Sequence, residues 1–139
     1  IVDTLLEYGI KPVVTLYHWD LPQYLEDAGG WLNRVTSYAL GDYAAVIAKR
    51  LGDRVDTWTT LNEPWCASYL SYGAKEQAPG LGLGPGAFPA VHHLNLAHGL
   101  MVQAVRGIVG DKSKYSVTLN MPFNRGDASS RPDRQSCLP

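Results

Sequence analysis

Three short segments of the chain are rich in β-branched and aromatic residues, and the first of them, residues 13–17, has no polar alternation. This pattern is typical of strands that are buried on both faces of a parallel sheet. The three predicted strands span residues 13–17, 55–61 and 115–119.

Longer segments before each of these strands carry apolar residues at helical spacing. The first predicted helix runs from residue 2 to a glycine stop at Gly9, and the second covers 35–51 and stops at Gly52. The third covers about 90–109, after a loop rich in glycine and proline. The resulting order of helix, strand, helix, strand, helix, strand predicts an α/β fold with a parallel sheet and right-handed crossovers.

Polar residues follow each predicted strand at its carboxyl end. His18 follows the first strand, Asn62 and Glu63 follow the second, and Asn120 follows the third. Ligands bind at this edge both in barrels and in open doubly wound sheets. The glycine-rich first turn of a doubly wound nucleotide-binding sheet is absent, so a barrel is favoured.

Three strands cannot close a barrel, which needs eight βα units and about 250 residues. The 139-residue chain also begins at Ile1, inside a helical pattern. We therefore expect a partial (β/α)8 barrel, residues 1–139 being one piece of a single catalytic domain of a longer protein. Residues 121–139 are expected to form an atypical tail, and the piece alone is expected to be inactive.

The charge balance narrows the range of partners. Lys and Arg number 12 against 13 Asp and Glu, which argues against nucleic acid or an anionic membrane as the main partner. No apolar run reaches the roughly 18 residues of a membrane span. Cys66 and Cys137 form no disulfide or metal-ligand pattern, so we expect a reducing, cytoplasmic compartment.

The stretch TLNEPW, residues 60–65, places an amide and a carboxylate at a strand end. A proline disfavours the helical region for the residue before it, so Pro64 predicts an extended Glu63 aimed into the barrel mouth. A carboxylate on a rigid element suits acid/base catalysis. The alternative is a glutamate that caps a helix or forms a salt bridge.

His18 and Trp19 end the neighbouring strand. Together with Asn62 and Glu63 they offer polar groups for sugar hydroxyls and an aromatic face for the apolar side of a sugar ring. The alternative is a core histidine beside a packing tryptophan. Three further histidines, His92, His93 and His98, are scattered around the third helix rather than sharing a face, so we expect structural roles and no metal site.

The stretches HWDLP, GGWLN and TLNEPW, in this order and at these separations, resemble glycoside hydrolase family 1, the β-glucosidase family. The resemblance runs from Ile1 to about Asn120. It implies a TIM barrel that hydrolyses β-glycosides, most often β-D-glucosides or short β-linked oligosaccharides, with retention of configuration and without a cofactor. The strands would be the third to fifth of the barrel.

The resemblance also implies roles for individual residues. Glu63 matches the general acid/base and Asn62 the amide that binds the sugar 2-hydroxyl. His18 and Trp19 match residues that line the sugar subsite, and Trp65 matches an aromatic platform for the leaving group. Asn120 lies close enough to the mouth to contact the leaving group. Gln77 stands where family members often carry a histidine.

Two other functions remain open at this point. One is a 6-phospho-β-glycosidase of the same family, although those enzymes often have a methionine within the stretch that reads HWDLP here. The other is a non-catalytic relative that keeps a sugar-binding cleft. The nucleophilic glutamate that would separate these classes lies beyond residue 139 in the family pattern.

Overall fold

The structure is a computed structural model that describes residues 1–121. Three strands form one sheet, namely β1 (Val13–Tyr17), β2 (Thr57–Asn62) and β3 (Lys114–Thr118). The described residues also form four α-helices: α1 (Val2–Glu7), α2 (Gln23–Asp27), α3 (Val35–Leu51) and α4 (Phe88–Val109). A π-helix spans Cys66–Gly73, and two short 3₁₀ turns span Gly30–Leu32 and Gly84–Ala87.

The sheet is parallel, with the strands in the order β1-β2-β3. The prediction of an α/β fold with a parallel sheet is therefore confirmed. Because the strands are parallel, the carboxyl ends of all three lie at one edge of the sheet.

The predicted elements lie close to the observed ones. The bounds of β1 and α3 agree with the prediction, and α1 ends as expected, with Gly9 at a φ of 71°. The Gly9 amide donates to the Leu6 carbonyl and the Ile10 amide to the Leu5 carbonyl, the bond pair of a glycine-terminated helix. Helix α2 and the π-helix were not predicted, because both are short and lie in stretches without a repeating apolar pattern.

Helices α3 and α4 pack against each other and against one face of the sheet. Leu94, Met101 and Val105 of α4 and Trp58 of β2 are completely buried in the core between them. The prediction that β1 is buried on both faces is wrong. Val13 is 61% exposed and Thr15 is also exposed, whereas Leu16 and Tyr17 at the carboxyl end of the strand are buried.

Within residues 1–121, no helix is both long and apolar enough to cross a membrane. The predicted atypical tail, 121–139, lies outside the described residues except for Met121, and it stays a prediction.

Candidate active site

Two residues other than glycine have a positive φ among the described residues, and both follow a strand of the sheet. Trp19 has a φ of 74° and follows β1, and Glu63 has a φ of 44° and follows β2. Such conformations cost of order 1–3 kcal/mol each and concentrate at functional sites. The backbone strain of the described chain therefore lies at the edge where the sequence places the polar residues.

The conformation of Glu63 corrects the prediction of an extended backbone. Pro64 does keep Glu63 out of the right-handed helical region, but the chain turns at once into a helical segment that begins at Pro64. A left-handed residue makes this change of direction within one position. The strand accordingly ends at Asn62 and not at Glu63.

Both backbone groups of Glu63 are hydrogen-bonded. Its amide donates to the Thr118 carbonyl at 2.8 Å, and its carbonyl accepts from the Ala67 amide at 3.0 Å. The first bond ties Glu63 to the end of β3, and the second ties it to the following helical segment. The glutamate backbone is thus fixed from two sides, as positioning of an acid/base group requires.

Trp19 is linked directly to β2. Its indole Nε1 donates to the Asn62 carbonyl at 2.8 Å. The His18 ring packs edge-on against the Trp19 ring, with centroids 5.6 Å apart, and the His18 amide donates to the Asp20 carboxylate at 3.3 Å. His18, Trp19, Asn62 and Glu63 therefore lie on adjacent strand ends, and the Trp19–Asn62 bond connects the two ends.

The thiol of Cys66 lies near Glu63 and Asn120. The pKa of this thiol is raised, first by burial and then by the negative charge of Glu63. The sequence analysis assigned Cys66 no role in the site. The residue is buried, with only 3% of its surface exposed.

Trp65 lies on the outside of this group. It is 54% exposed and stacks on Tyr69 of the π-helix, with ring centroids 5.7 Å apart. An exposed pair of stacked rings offers a flat apolar surface, which is the kind of platform that the sequence predicted for a leaving group.

A pocket of about 560 Å³ opens beside Trp19. Its lining combines aromatic, amide, carboxyl and hydroxyl side chains, among them Trp19, Gln23, Glu26, Ser71 and Gln77. Glu63 and Asn62 do not line it. Trp19 therefore contacts both this pocket and, through its bond to the Asn62 carbonyl, the Asn62–Glu63 end of β2, and Gln77 lies in the pocket.

A hydrogen-bonded network of aromatic and carboxyl side chains contributes to the wall of this pocket. The Tyr72 hydroxyl donates to the Glu26 carboxylate and accepts from the Trp31 amide at 3.1 Å. The Trp31 indole donates to the Tyr17 hydroxyl at 2.9 Å. Burial raises the pKa of Tyr17 to about 12, and burial followed by the bond to Glu26 raises that of Tyr72.

The three histidines of α4 make separate contacts. His92 lies 3.3 Å from Arg34, His93 bonds the Trp31 carbonyl at 2.8 Å, and Nδ1 of His98 lies 2.7 Å from the Thr60 hydroxyl. No group of three or more His, Cys, Asp or Glu side chains in residues 1–121 is arranged to hold a metal ion.

The site thus unites the predicted residues. Glu63, Asn62, His18 and Trp19 lie on neighbouring strand ends, Asn120 lies near Cys66, and Trp65 lies beside them. Thr60, His98 and Cys66 were not predicted as site residues. Thr60 belongs to the TLNEPW stretch, but its contact with His98 joins positions 38 residues apart. No local sequence pattern predicts such a contact.

Comparison with known proteins gives the context of this arrangement. A family model described as glycosyl hydrolase family 1 matches residues 1–137. A bifunctional β-D-glucosidase/β-D-fucosidase of Bifidobacterium breve is 65% identical over 132 residues, which cover 92% of this chain and 29% of that protein. A β-glucosidase of an Agrobacterium species is 45% identical over 132 residues, which cover 92% of this chain and 28% of that protein.

Solved structures agree with the sequence matches. The β-glucosidase of Thermotoga maritima in complex with glucoimidazole is 39% identical and superposes with a TM-score of 0.93, over 98% of this chain and 31% of that one. The chain thus spans less than a third of the length of each of these three proteins.

Proposed function

The chain belongs to glycosyl hydrolase family 1, and from this premise we propose that the protein of which it is a part is a retaining β-glycosidase. The proposed substrates are terminal β-D-glucosyl residues of β-glucosides and short β-linked oligosaccharides. Glu63 acts as the general acid/base, and the chain supplies one half of the catalytic carboxyl pair.

The three strands are proposed to be the third to fifth of a (β/α)8 barrel. Two features support this placement: the sheet is parallel and has both β1 and β3 as edges, and the matched structure of a β-glucosidase is about three times as long. In a closed barrel the sheet face that carries Val13 and Thr15 would become the inside.

The observation that carries the proposal is the convergence of Glu63, Asn62 and Trp19 at one strand edge. The Trp19–Asn62 hydrogen bond joins the two strand ends, and the two bonds of the Glu63 backbone fix the direction from which its carboxyl group leaves the turn. A capping or salt-bridging role for Glu63 finds no support in the described residues, where its side chain takes part in no ion pair.

The proposed reaction has two steps. Retaining glycosidases hold two carboxyl groups about 5–5.5 Å apart. In the first step the partner carboxylate, from a part of the protein outside this chain, attacks the anomeric carbon while protonated Glu63 donates to the departing oxygen. In the second step Glu63, now a carboxylate, removes a proton from the water that hydrolyses the glycosyl-enzyme.

The remaining residues are proposed to bind the sugar and the leaving group. Asn62 binds the 2-hydroxyl, an interaction that strengthens in the transition state of such enzymes. His18 and Trp19 line the sugar subsite, Trp65 offers its exposed face to the leaving group, and Asn120 contacts that group from the end of β3. No metal or organic cofactor enters either step.

A second substrate, the β-D-fucoside, is favoured by one comparison, because the relative that is 65% identical is named as both a β-D-glucosidase and a β-D-fucosidase. Compared with a β-D-glucoside, a β-D-fucoside has a methyl group in place of the 6-hydroxymethyl group and the opposite configuration at C4. Acceptance of both sugars would mean that the enzyme requires neither the 6-hydroxyl nor one orientation of the 4-hydroxyl. Relatives named β-glucosidase support the proposed enzyme over a 6-phospho-β-glycosidase or a non-catalytic sugar-binding protein.

The experiment that tests the proposal compares leaving groups in the complete enzyme. Glu63→Gln and Glu63→Ala remove the proton donor and leave the nucleophile. Cellobiose, whose leaving group needs a proton, should lose activity by a factor of about 10² to 10⁴, the range for general acid catalysis. An activated dinitrophenyl glucoside should still form the glycosyl-enzyme and then turn over slowly, because no base activates water.

Added azide separates this role from a general loss of structure. Azide needs no deprotonation and fits the space left in Glu63→Ala, so it should restore turnover and give a β-glucosyl azide. Equal losses for cellobiose and the dinitrophenyl glucoside, without any effect of azide, would refute the assignment of Glu63.

A further inference from the structure

Strand β2 contains one extra residue immediately before the candidate site. Against β3, Thr59 pairs with Ser116 and Asn62 with Thr118, so three steps along β2 match two steps along β3. Against β1 the pairing stays regular, with Thr15 opposite Thr59 and Tyr17 opposite Leu61. The irregularity is therefore a β-bulge on the β3 side of the strand.

This bulge determines where Glu63 lies. With regular pairing from Thr59 onward, Leu61 would stand opposite Thr118, and the side chains that follow would be shifted by one position. Because of the extra residue, Asn62 stands opposite Thr118 instead, and the Glu63 amide reaches the Thr118 carbonyl at 2.8 Å. Bulges next to active sites commonly redirect a side chain in this way.

The side chain of Thr60 bridges the bulge. Thr60 is completely buried, and its hydroxyl lies 3.2 Å from the Ser116 carbonyl on β3 and 2.7 Å from Nδ1 of His98 on α4. A threonine hydroxyl has one proton to donate. All three groups are satisfied when His98 Nδ1–H donates to Thr60 and the Thr60 hydroxyl donates to Ser116.

From this geometry we propose that Thr60 and His98 are positioning residues for Glu63, and that they hold the bulge that sets the direction of its carboxyl group. The inference rests on the proposed function of Glu63 as the acid/base. Neither residue touches the substrate. They act through the backbone between Thr60 and Glu63, and an error in this backbone would move the proton donor relative to the glycosidic oxygen.

The test is Thr60→Val in the complete enzyme, because valine has the shape of threonine without the hydroxyl. The substitution leaves buried polar partners unpaired, and kcat/KM for cellobiose should fall by a factor of about 5 to 100. The dinitrophenyl glucoside needs no proton in the first step, so its pre-steady-state burst should keep its rate within a factor of about 3. The matched control, Thr60→Ser, keeps the hydroxyl and should restore hydrolysis of cellobiose.

Two outcomes would overturn the inference. The first is an equal loss for both substrates in Thr60→Val, which would mean that Thr60 only stabilises the fold. The second is wild-type activity on cellobiose in a folded Thr60→Val enzyme. Glu63→Gln is measured beside these variants. If Glu63→Gln loses equal activity on cellobiose and on the dinitrophenyl glucoside, the proposed function fails and the inference falls with it. If Glu63→Gln shows a greater loss on cellobiose and Thr60→Val does not, only the inference is refuted.

His98 provides a second pair of variants, which decides the matter if Thr60→Val does not fold. Asparagine has an N–H near the position of Nδ1, and leucine has none. His98→Leu should impair cellobiose hydrolysis more than release of dinitrophenol, and His98→Asn should retain most activity on both. Equal behaviour of the two variants would contradict the role of His98.

Discussion

The indole Nε1 of Trp19 donates a 2.8 Å hydrogen bond to the backbone carbonyl of Asn62, which lies 43 positions further along the chain. Trp19 has a left-handed backbone. Asn62 immediately precedes Glu63, the other described residue besides glycine that has a positive φ. The bond therefore connects the two strained turns of the site, and each turn is held by a contact outside its own strand. A substitution of Trp19 should therefore alter the position of Asn62.

The first prediction concerns Trp19→Phe in the complete enzyme. Phenylalanine keeps an aromatic ring and removes the Nε1–H donor, so the position of Asn62 should loosen. The net value of such a bond is about 0.5–1.5 kcal/mol, and kcat/KM for aryl glucosides should fall by a factor of about 2 to 12. Because Asn62 is proposed to bind the 2-hydroxyl, a 2-deoxy-glucoside should show a smaller loss. The same loss on both substrates would contradict a connection through Asn62.

The second prediction concerns Gly30, which has a φ of 53° and belongs to the 3₁₀ turn that carries Trp31. An added Cβ would overlap the Glu26 carboxylate and the Tyr72 hydroxyl. Gly30→Ala should therefore lower the free energy of unfolding by at least about 2 kcal/mol, through backbone strain and overpacking.

Gly99→Ala is the matched control. Gly99 lies inside α4 and a Cβ there would meet no atom within 4 Å, so alanine should raise the free energy of unfolding by up to about 1 kcal/mol. Denaturant unfolding of the complete enzyme measures both variants. Similar shifts in both would mean that the network around Glu26 and Tyr72 does not restrict Gly30.

The third prediction concerns Tyr17 and alkaline pH. Burial raises the pKa of Tyr17 from 10.0 to about 12 in the folded state. Its contribution to stability is therefore fully present below pH 10, and it is lost as the pH rises through the window from 10 to about 12, where the unfolded chain ionises first. Stability should fall in that window, and the decline should be shallower in Tyr17→Phe.

At neutral pH the same variant should be less stable, because Trp31 loses the acceptor of its buried indole N–H. A buried donor without a partner costs about 1–3 kcal/mol. Urea unfolding at neutral pH and above pH 10 measures both effects. A Tyr17→Phe enzyme with unchanged stability at neutral pH and an unchanged alkaline slope would show that Tyr17 is not buried in the complete protein.

The sequence predicted the elements of the fold where their apolar residues repeat over many positions. Helix α3 and strand β1 are examples, because seventeen positions of helical spacing and a run of five apolar or β-branched residues leave few alternatives. The same strand shows the limit of the method. Its pattern indicated burial on both faces, but burial depends on which elements cover each position, and within the described residues Val13 and Thr15 are exposed.

The site could be predicted as far as strand ends determine it. His18, Trp19, Asn62 and Glu63 follow strands, and strands of one parallel sheet end at a common edge. The backbone of Glu63 could not be predicted, since Pro64 excludes one region of φ and ψ but does not choose between the others. The roles of Thr60 and His98 depend on a bulge and on the packing of α4, neither of which has a sequence period.

The strand order has a consequence for how the site is assembled. Each strand pairs with the strand that precedes it in sequence, so every pairing closes a single βα unit and the loop-closure cost stays modest. The sheet can therefore grow in the order of synthesis, β1 with β2 and then β3. Glu63 has its backbone partner only after the last of these steps, because its amide is bound by Thr118. Hydrogen exchange at the Glu63 amide would thus report whether β3 is in place.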